Sequence, residues 1–276
     1  MSLPIASVAA AYSATGGAWQ RGPGLIYDRL SDLVVDASPM PLTERLVLDL
    51  GAGTGAASRA LARAGSRVVA ADAAAGMLRA EQASRPPAAV ADAHALPFPA
   101  ASFDAVVAAF CLNHLTDPEA GLAEAARVTR PGGAIVASSY AEDDAHPVKE
   151  AVDAAAGELG WFPPSWYGAL KTDALTKLAR PEGVAAAARA AGLGEPHVAH
   201  YLVDFADLTA DDLVRWRLGL AQLAPFVATL DADTVACLHA RALELLGPEP
   251  PPLCRSVLVL TALVLRAPIG GHRGGG

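Results

Sequence analysis

Short apolar and β-branched runs recur along the first half of the chain, with helical stretches between them. They are Arg45 to Leu50 (RLVLDL), Arg67 to Ala71 (RVVAA), Ala88 to Ala91 (AAVA), Phe103 to Ala109 (FDAVVAA) and Ala134 to Ser138 (AIVAS). Such alternation predicts a parallel sheet wound on both faces by helices, a doubly wound, Rossmann-like α/β fold. Boundary residues support the helices. One runs from about Ala56 to Ala64 and stops at Gly65; another takes Asp117 as N-cap and Pro118 as its first residue, and ends before Arg130-Pro131-Gly132-Gly133. Two later runs, around Val198 to Phe205 and Ser256 to Leu265, complete a seven-stranded sheet.

Helical insertions interrupt this core. The first follows the fifth strand and carries Trp161, Phe162, Trp166 and Tyr167. The second is helical, with Thr209 and Asp212 at capping-box spacing, and closes on the proline-rich GPEPPPL. The expected division is therefore N-terminal helices and binding core over 1–140, a helical cap insertion over 141–180, and a return helix and strand over 181–205. A second cap insertion over 206–252, the last core strand over 253–268 and a disordered tail over 269–276 follow. Two short helices are expected ahead of the first strand, bearing Tyr12, Trp19, Arg21 and Tyr27.

Charge and composition narrow the function classes. Lys plus Arg total 21 against 29 Asp plus Glu, a net charge of −8, so nothing draws the chain to phosphate backbones or anionic lipid. Nucleic acid is accordingly not expected as partner. Cys111, Cys237 and Cys254 lie far apart without CxxC spacing, which suggests neither a zinc site nor a disulfide framework and fits a reducing cytoplasm. No convergent carboxylate and histidine spacing implies a metal. The N-terminus lacks the basic region of a signal peptide, and the most apolar run, Ser256 to Leu265, is about half of the roughly 20 residues a membrane helix needs.

The chemistry concentrates in Asp49-Leu50-Gly51-Ala52-Gly53-Thr54-Gly55, a loop that leaves a strand and enters a helix. Glycines are required there, because side chains would block the sharp turn and the approach of a ligand to the backbone. The same residues also satisfy the G-x-G-x-x-G/A fingerprint of dinucleotide sites, so the loop alone admits a nicotinamide-dependent oxidoreductase. Asp72 ends the second strand about 20 residues on, where a carboxylate can accept from both hydroxyls of a ribose or cap the following helix.

Further blocks follow in order: the acid within AADAAAGML, then DAHALPF, SFDAVVAAF and RVTRPGG. With DLGAGTG at their head, they make the sequence resemble class I S-adenosylmethionine-dependent methyltransferases, in the branch similar to ubiquinone and menaquinone biosynthesis methyltransferases. The resemblance is strong over Leu46 to Ser139 and holds only in outline elsewhere. It implies S-adenosyl-L-methionine as cofactor and methyl transfer to the O, N or C atom of a small-molecule, apolar or biosynthetic-intermediate acceptor.

Carried onto this chain, the resemblance implies that Gly51 and Gly53 pass beneath the methionine part of the cofactor. Asp49 would support that turn or the amino group, Asp72 would hold the ribose, and Met77 would pack on the adenine. Asp92 would accept from the adenine amino group, Ala93 would offer its N–H to a ring nitrogen, and Phe110 would lie near the methionine ammonium. Tyr12 and Trp19 would fold over the cofactor, or else simply pack on the sheet edge. The sequence departs from the common pattern at Ala73-Ala74-Ala75, where polar residues are frequent.

The resemblance also implies a reactive centre near the residues after the fourth strand, here Cys111-Leu112-Asn113-His114-Leu115. The Asn/Asp-Pro-Pro-aromatic motif that marks methylation of nucleic-acid base amines is absent from it. His114 is the candidate proton acceptor, since an unperturbed imidazole titrates near neutral pH; a histidine satisfying backbone groups at a strand end is the alternative. The insertion aromatics, with Trp216 and Phe226, would line an apolar acceptor pocket or form the insertions' own core. A cofactor-binding protein or a cyclase that transfers no methyl also fits these motifs.

Overall fold

The computed structural model describes residues 5–80, 82–172 and 174–265. Seven strands, β1 (Leu46–Leu50), β2 (Arg67–Asp72), β3 (Ala88–Val90), β4 (Phe103–Ala108), β5 (Thr129–Tyr140), β6 (Gly194–Phe205) and β7 (Leu253–Leu263), form one sheet in the order β3-β2-β1-β4-β5-β7-β6. The first five pair in parallel, as their alternation with helices predicts. The sequence left the direction of β7 open. It wedges antiparallel between β5 and β6, because the chain returns from β6 through a helical excursion that sets it down beside its own starting edge. The tail at 269–276 lies outside the described residues.

Three helices, not two, precede β1: α1 (Ile5–Ser13), α2 (Gly16–Arg21) and α3 (Gly24–Asp36). The glycine breaks at Gly16 and Gly22 to Gly24 divide what the sequence suggested as two. Within the core, α4 (Ala56–Arg63), α5 (Ala75–Ala80) and α6 (Pro118–Val128) connect parallel strands. Asp117 caps α6 by accepting from the Ala120 N–H, with Pro118 in the first turn.

Past β5, the chain forms α7 (Pro147–Glu158), α8 (Ser165–Thr172), α9 (Ala174–Leu178) and α10 (Pro181–Ala190) before β6. Between β6 and β7 lie α11 (Ala210–Leu218), α12 (Ala224–Val227) and α13 (Ala232–Leu246), and Thr209 with Asp212 makes the expected capping box. Among the described residues, no helix is long and apolar enough to cross a membrane.

The two insertions pack on one another. Arg217 of α11 is bidentate with Asp153 of α7 at 2.6 and 2.9 Å, and the Trp161 indole N–H donates to the Gln222 carbonyl at 3.1 Å. Trp161 and Trp216 are buried in the large core cluster that also holds Leu213, Leu223 and Val257. The N-terminal helices close on both sides through small residues. A side chain at Gly76 of α5 would run into the Ser13 carbonyl, and one at Gly22 would run into that of Arg215.

A charged group sits at the heart of this packing. Arg255 of β7 is 3% exposed, lies 3.9 Å over the Tyr140 ring, and donates to both oxygens of Asp144, at 2.7 and 2.8 Å. Asp144 also accepts from Lys149 at 3.0 Å. Removing one member of a buried pair strands the other charge, which costs roughly 3–5 kcal/mol. Asp144→Ala is therefore expected to lower unfolding free energy by about that amount in urea titration, and a loss within experimental error would show the pair to be energetically idle.

Candidate functional site

Strand order reverses between β1 and β4, and in such sheets the crevice beyond the strands' carboxyl ends is where ligands bind. A cavity opens there, walled by the β1, β2 and β4 ends and by α1 to α3. It collects the candidate cofactor-binding and catalytic residues: Tyr12, Trp19, Asp49, Gly51, Gly53, Asp72, Met77, Asp92, Ala93, Phe110 and His114.

The glycine loop makes one wall. Gly51 and Gly53 have φ of +72° and +55°, a left-handed conformation that side chains resist. Gly51 has a second constraint that the sequence did not reveal: a Cβ there would sit 2.5 Å from Cys111 Sγ, so the thiol itself enforces glycine. Asp72 holds the loop, its two oxygens accepting from the Gly53 and Ala74 N–H groups, both at 2.7 Å. Of the two readings of Asp72, this geometry displays the cap. Burial pushes its carboxyl above the usual range.

Asp49, 1% exposed, is the more unusual acid. One oxygen accepts from the Ser58 hydroxyl at 2.6 Å; the other has no partner. Burial pushes the carboxyl up to about 7, against the hydrogen bond from Ser58. Asp92 accepts from the His94 backbone N–H at 2.9 Å and meets its ring at 2.7 Å. Met77 receives the Thr15 hydroxyl on its sulfur at 3.6 Å.

Aromatic rings also line the cavity. His114, Tyr12, Trp19, Tyr27 and Phe110 form an unbroken arc, with successive centroids 5.2, 5.7, 4.9 and 5.5 Å apart. Phe110 adopts φ of +53°, rare for a side-chain-bearing residue, and its N–H donates to the Ser138 hydroxyl at 3.0 Å. No sequence signal marks that strain. His114 ends the arc: its Nε2 lies 3.3 Å from the Tyr12 hydroxyl and 3.2 Å from Asn113 Nδ2, while its Nδ1 has no partner. Burial lowers its pKa to about 4, so the imidazole is neutral at physiological pH, contrary to the near-neutral titration expected from sequence.

The insertion aromatics stand apart from this cavity. Trp166 packs behind Tyr12 at 6.3 Å, with Tyr167 against its edge, and Trp216 belongs to the main core. Phe226 packs against the same core. These side chains make core or backing layer, and the lining is supplied instead by Tyr27, Ser31 and Cys111, spread over two segments distant in sequence.

The segment that builds the glycine wall and the strand ends, residues 48–137, matches the family model of a methyltransferase domain. The demethylmenaquinone methyltransferase of Mycolicibacterium gilvum is 48% identical over 94 residues, which are 34% of this chain and 41% of that protein. The chain thus spans less than half the length of the curated relatives it matches. Among solved structures, a phosphoethanolamine N-methyltransferase of Haemonchus contortus in complex with S-adenosyl-L-methionine superposes with TM-score 0.52 at 18% identity, covering 86% of this chain and 53% of its own. The (4+2)-cyclase SpnF gives TM-score 0.50 at 23% identity, over 87% and 82% of the two chains. Both likenesses show the fold.

Asp49 generates a prediction here. An ionised carboxylate with a free, buried oxygen favours a ligand cation, so affinity for S-adenosylhomocysteine, through its ammonium, is expected to rise with pH up to about 7 and flatten above. Asp49→Asn should raise the melting temperature of the free protein, since a carboxyl raised in the folded state loses stability as pH climbs through its folded pKa. It should also weaken that affinity and erase its pH dependence. Calorimetry between about pH 6 and about pH 8 decides; unchanged affinity in the variant would place the ligand ammonium elsewhere.

Proposed function

We propose that the protein transfers a methyl group from S-adenosyl-L-methionine to a small-molecule acceptor, in a reducing, cytoplasmic setting. The observation that carries this reading is the charge of the cavity: its lining includes Asp49, Asp72 and Asp92 and, among the described residues, neither Lys nor Arg. A dinucleotide would bring a pyrophosphate into that field without a cationic partner, whereas a ligand bearing an ammonium and a sulfonium meets the unpartnered Asp49 oxygen. The net charge of −8 supports a small molecule over nucleic acid as acceptor.

When bound, the cofactor supplies a methyl group already made electrophilic by its sulfonium. The chain's own contribution is binding, alignment and exclusion of water. Gly51 and Gly53 leave the backbone approachable, Asp49 takes the ammonium, Asp72 the ribose hydroxyls, and Asp92 with the Ala93 N–H and Met77 the adenine. Tyr12 and Trp19 of the N-terminal helices cover the bound ligand. His114, hydrogen-bonded to Tyr12 and Asn113, orients the acceptor, burial having lowered its pKa to about 4 and made it a weak base.

Three measurements test this. S-adenosylhomocysteine should raise the melting temperature and NADH should not; the reverse would sink the assignment. Asp72→Ala should weaken S-adenosylhomocysteine binding by at least about tenfold, because charge-assisted hydrogen bonds contribute roughly 1.5–3 kcal/mol. Unaltered affinity in a folded variant would leave Asp72 as a loop clasp alone. For His114→Ala, turnover should fall by less than about 10²-fold, the effect expected of a general base, and a larger loss with a vanished pH limb would restore the base.

A further inference from the structure

Resting on the methyltransfer reading, we infer that Ser58, a residue behind the cavity wall, positions Asp49 to take the cofactor's ammonium on one oxygen, and that arrival of the ammonium expels a proton from that oxygen. Ser58 does not itself line the cavity. It is buried on α4, and its hydroxyl donates to Asp49 Oδ2 at 2.6 Å. Asp49 Oδ1 is buried without a partner.

This geometry divides the work of the two oxygens. Because Oδ2 is engaged as the acceptor of the Ser58 hydroxyl, a proton on the acid has its place on Oδ1, and so has an incoming ammonium. Proton and ammonium therefore compete for one atom. Burial and the Asp72 carboxylate of β2 favour the protonated acid, while the Ser58 hydroxyl and backbone N–H, with Arg59 of α4 behind them, favour the charged one. Ser58 is the principal group opposing burial. Arg59 is committed to Asp28 at 2.6 Å and to the Thr54 carbonyl at 2.9 Å, and the Cys111 thiol after β4 is kept protonated by burial and by these acids. Burial prevails narrowly, and the Asp49 carboxyl stands at about 7.

On binding, the O–H bond at Oδ1 breaks, its proton passes to bulk water, and the carboxylate pairs with the ligand's ammonium, which keeps its own protons. Departure of the ligand reverses the exchange. S-adenosylhomocysteine bears the same ammonium as S-adenosyl-L-methionine, so product and cofactor are held by one exchange and acidification loosens both.

Proton release is read by calorimetric titration of S-adenosylhomocysteine into the full chain in buffers of different ionisation enthalpy. The wild type is expected to release about half a proton per ligand bound near pH ~7, and almost none at about pH 8.5. Ser58→Ala removes the hydroxyl without cost to the helix. It should move the pH limb of affinity upward by about one unit, so that binding is about fivefold weaker near pH ~7 and returns to within about twofold of wild type by about pH 8.5. In the ligand-free chain, carbon NMR of the Asp49 carboxyl should show it titrating about one unit higher in the same variant. Absence of proton release near neutrality from a wild type that binds overturns the inference, as does a Ser58→Ala variant with an unmoved limb and carboxyl titration. Equal loss of affinity at both pH values marks a merely structural Ser58 and overturns it too. Failure of the wild type to bind S-adenosylhomocysteine at any pH overturns the methyltransfer reading instead, and the ligand-free titration then judges the coupling of Ser58 to Asp49 by itself.

Discussion

The Asp72 carboxylate is the constraint on which the rest of the site depends. With one oxygen on the Gly53 N–H and the other on the Ala74 N–H, it fastens the loop that ends β1 to the turn that opens α5. Two charge-assisted bonds offset the cost of burying the acid. The fastening sets where the glycine wall stands and where α5 begins. In turn, α5 is the platform for the N-terminal helices, which approach it closely because Gly76 presents no side chain to Ser13.

Those helices convert an open sheet edge into a cavity of divided character. One wall is backbone and carboxylate, carrying the unsatisfied oxygen of Asp49; the other is an arc of rings from His114 to Phe110. Neither wall is specific alone. Carboxylates without a hydrophobic cover would remain solvated, and rings without fixed charge would accept any apolar body. Enclosure raises the effect of each on the other, because excluding water strengthens every remaining electrostatic interaction. The same enclosure pushes Asp49 up to about 7 and His114 down to about 4, as burial disfavours the charged form of each.

The insertions contribute chiefly by holding this arrangement. Arg217 with Asp153, and Arg255 with Asp144, bind α7, α11, β7 and the segment after β5 into one packed layer, and Tyr140, beneath Arg255, stacks on Phe110. A path of direct contact therefore runs from the buried ion pair to the strained residue of the cavity wall. Trp161 and Trp216 are spent on that layer, which explains why aromatic insertions need not make an aromatic pocket.

The sequence by itself determined the elements and the glycine-loop wall. Strand runs, the capping residues Asp117 and Thr209, and the glycine loop with its distant acid are local signals, set by backbone sterics and hydrogen bonding within a few residues. The candidate residues of the motif blocks consequently gather in one cavity, and the insertion aromatics do not. Only the tertiary structure decided what faces what. The antiparallel entry of β7, the partnership of Tyr12 with His114, the clash that makes Cys111 demand Gly51, and the positive φ of Phe110 each join residues far apart in the chain or store strain without a residue signature. Burial, which fixes whether a histidine can take a proton or a tryptophan can meet a ligand, belongs to the packed whole, and no window of sequence carries it.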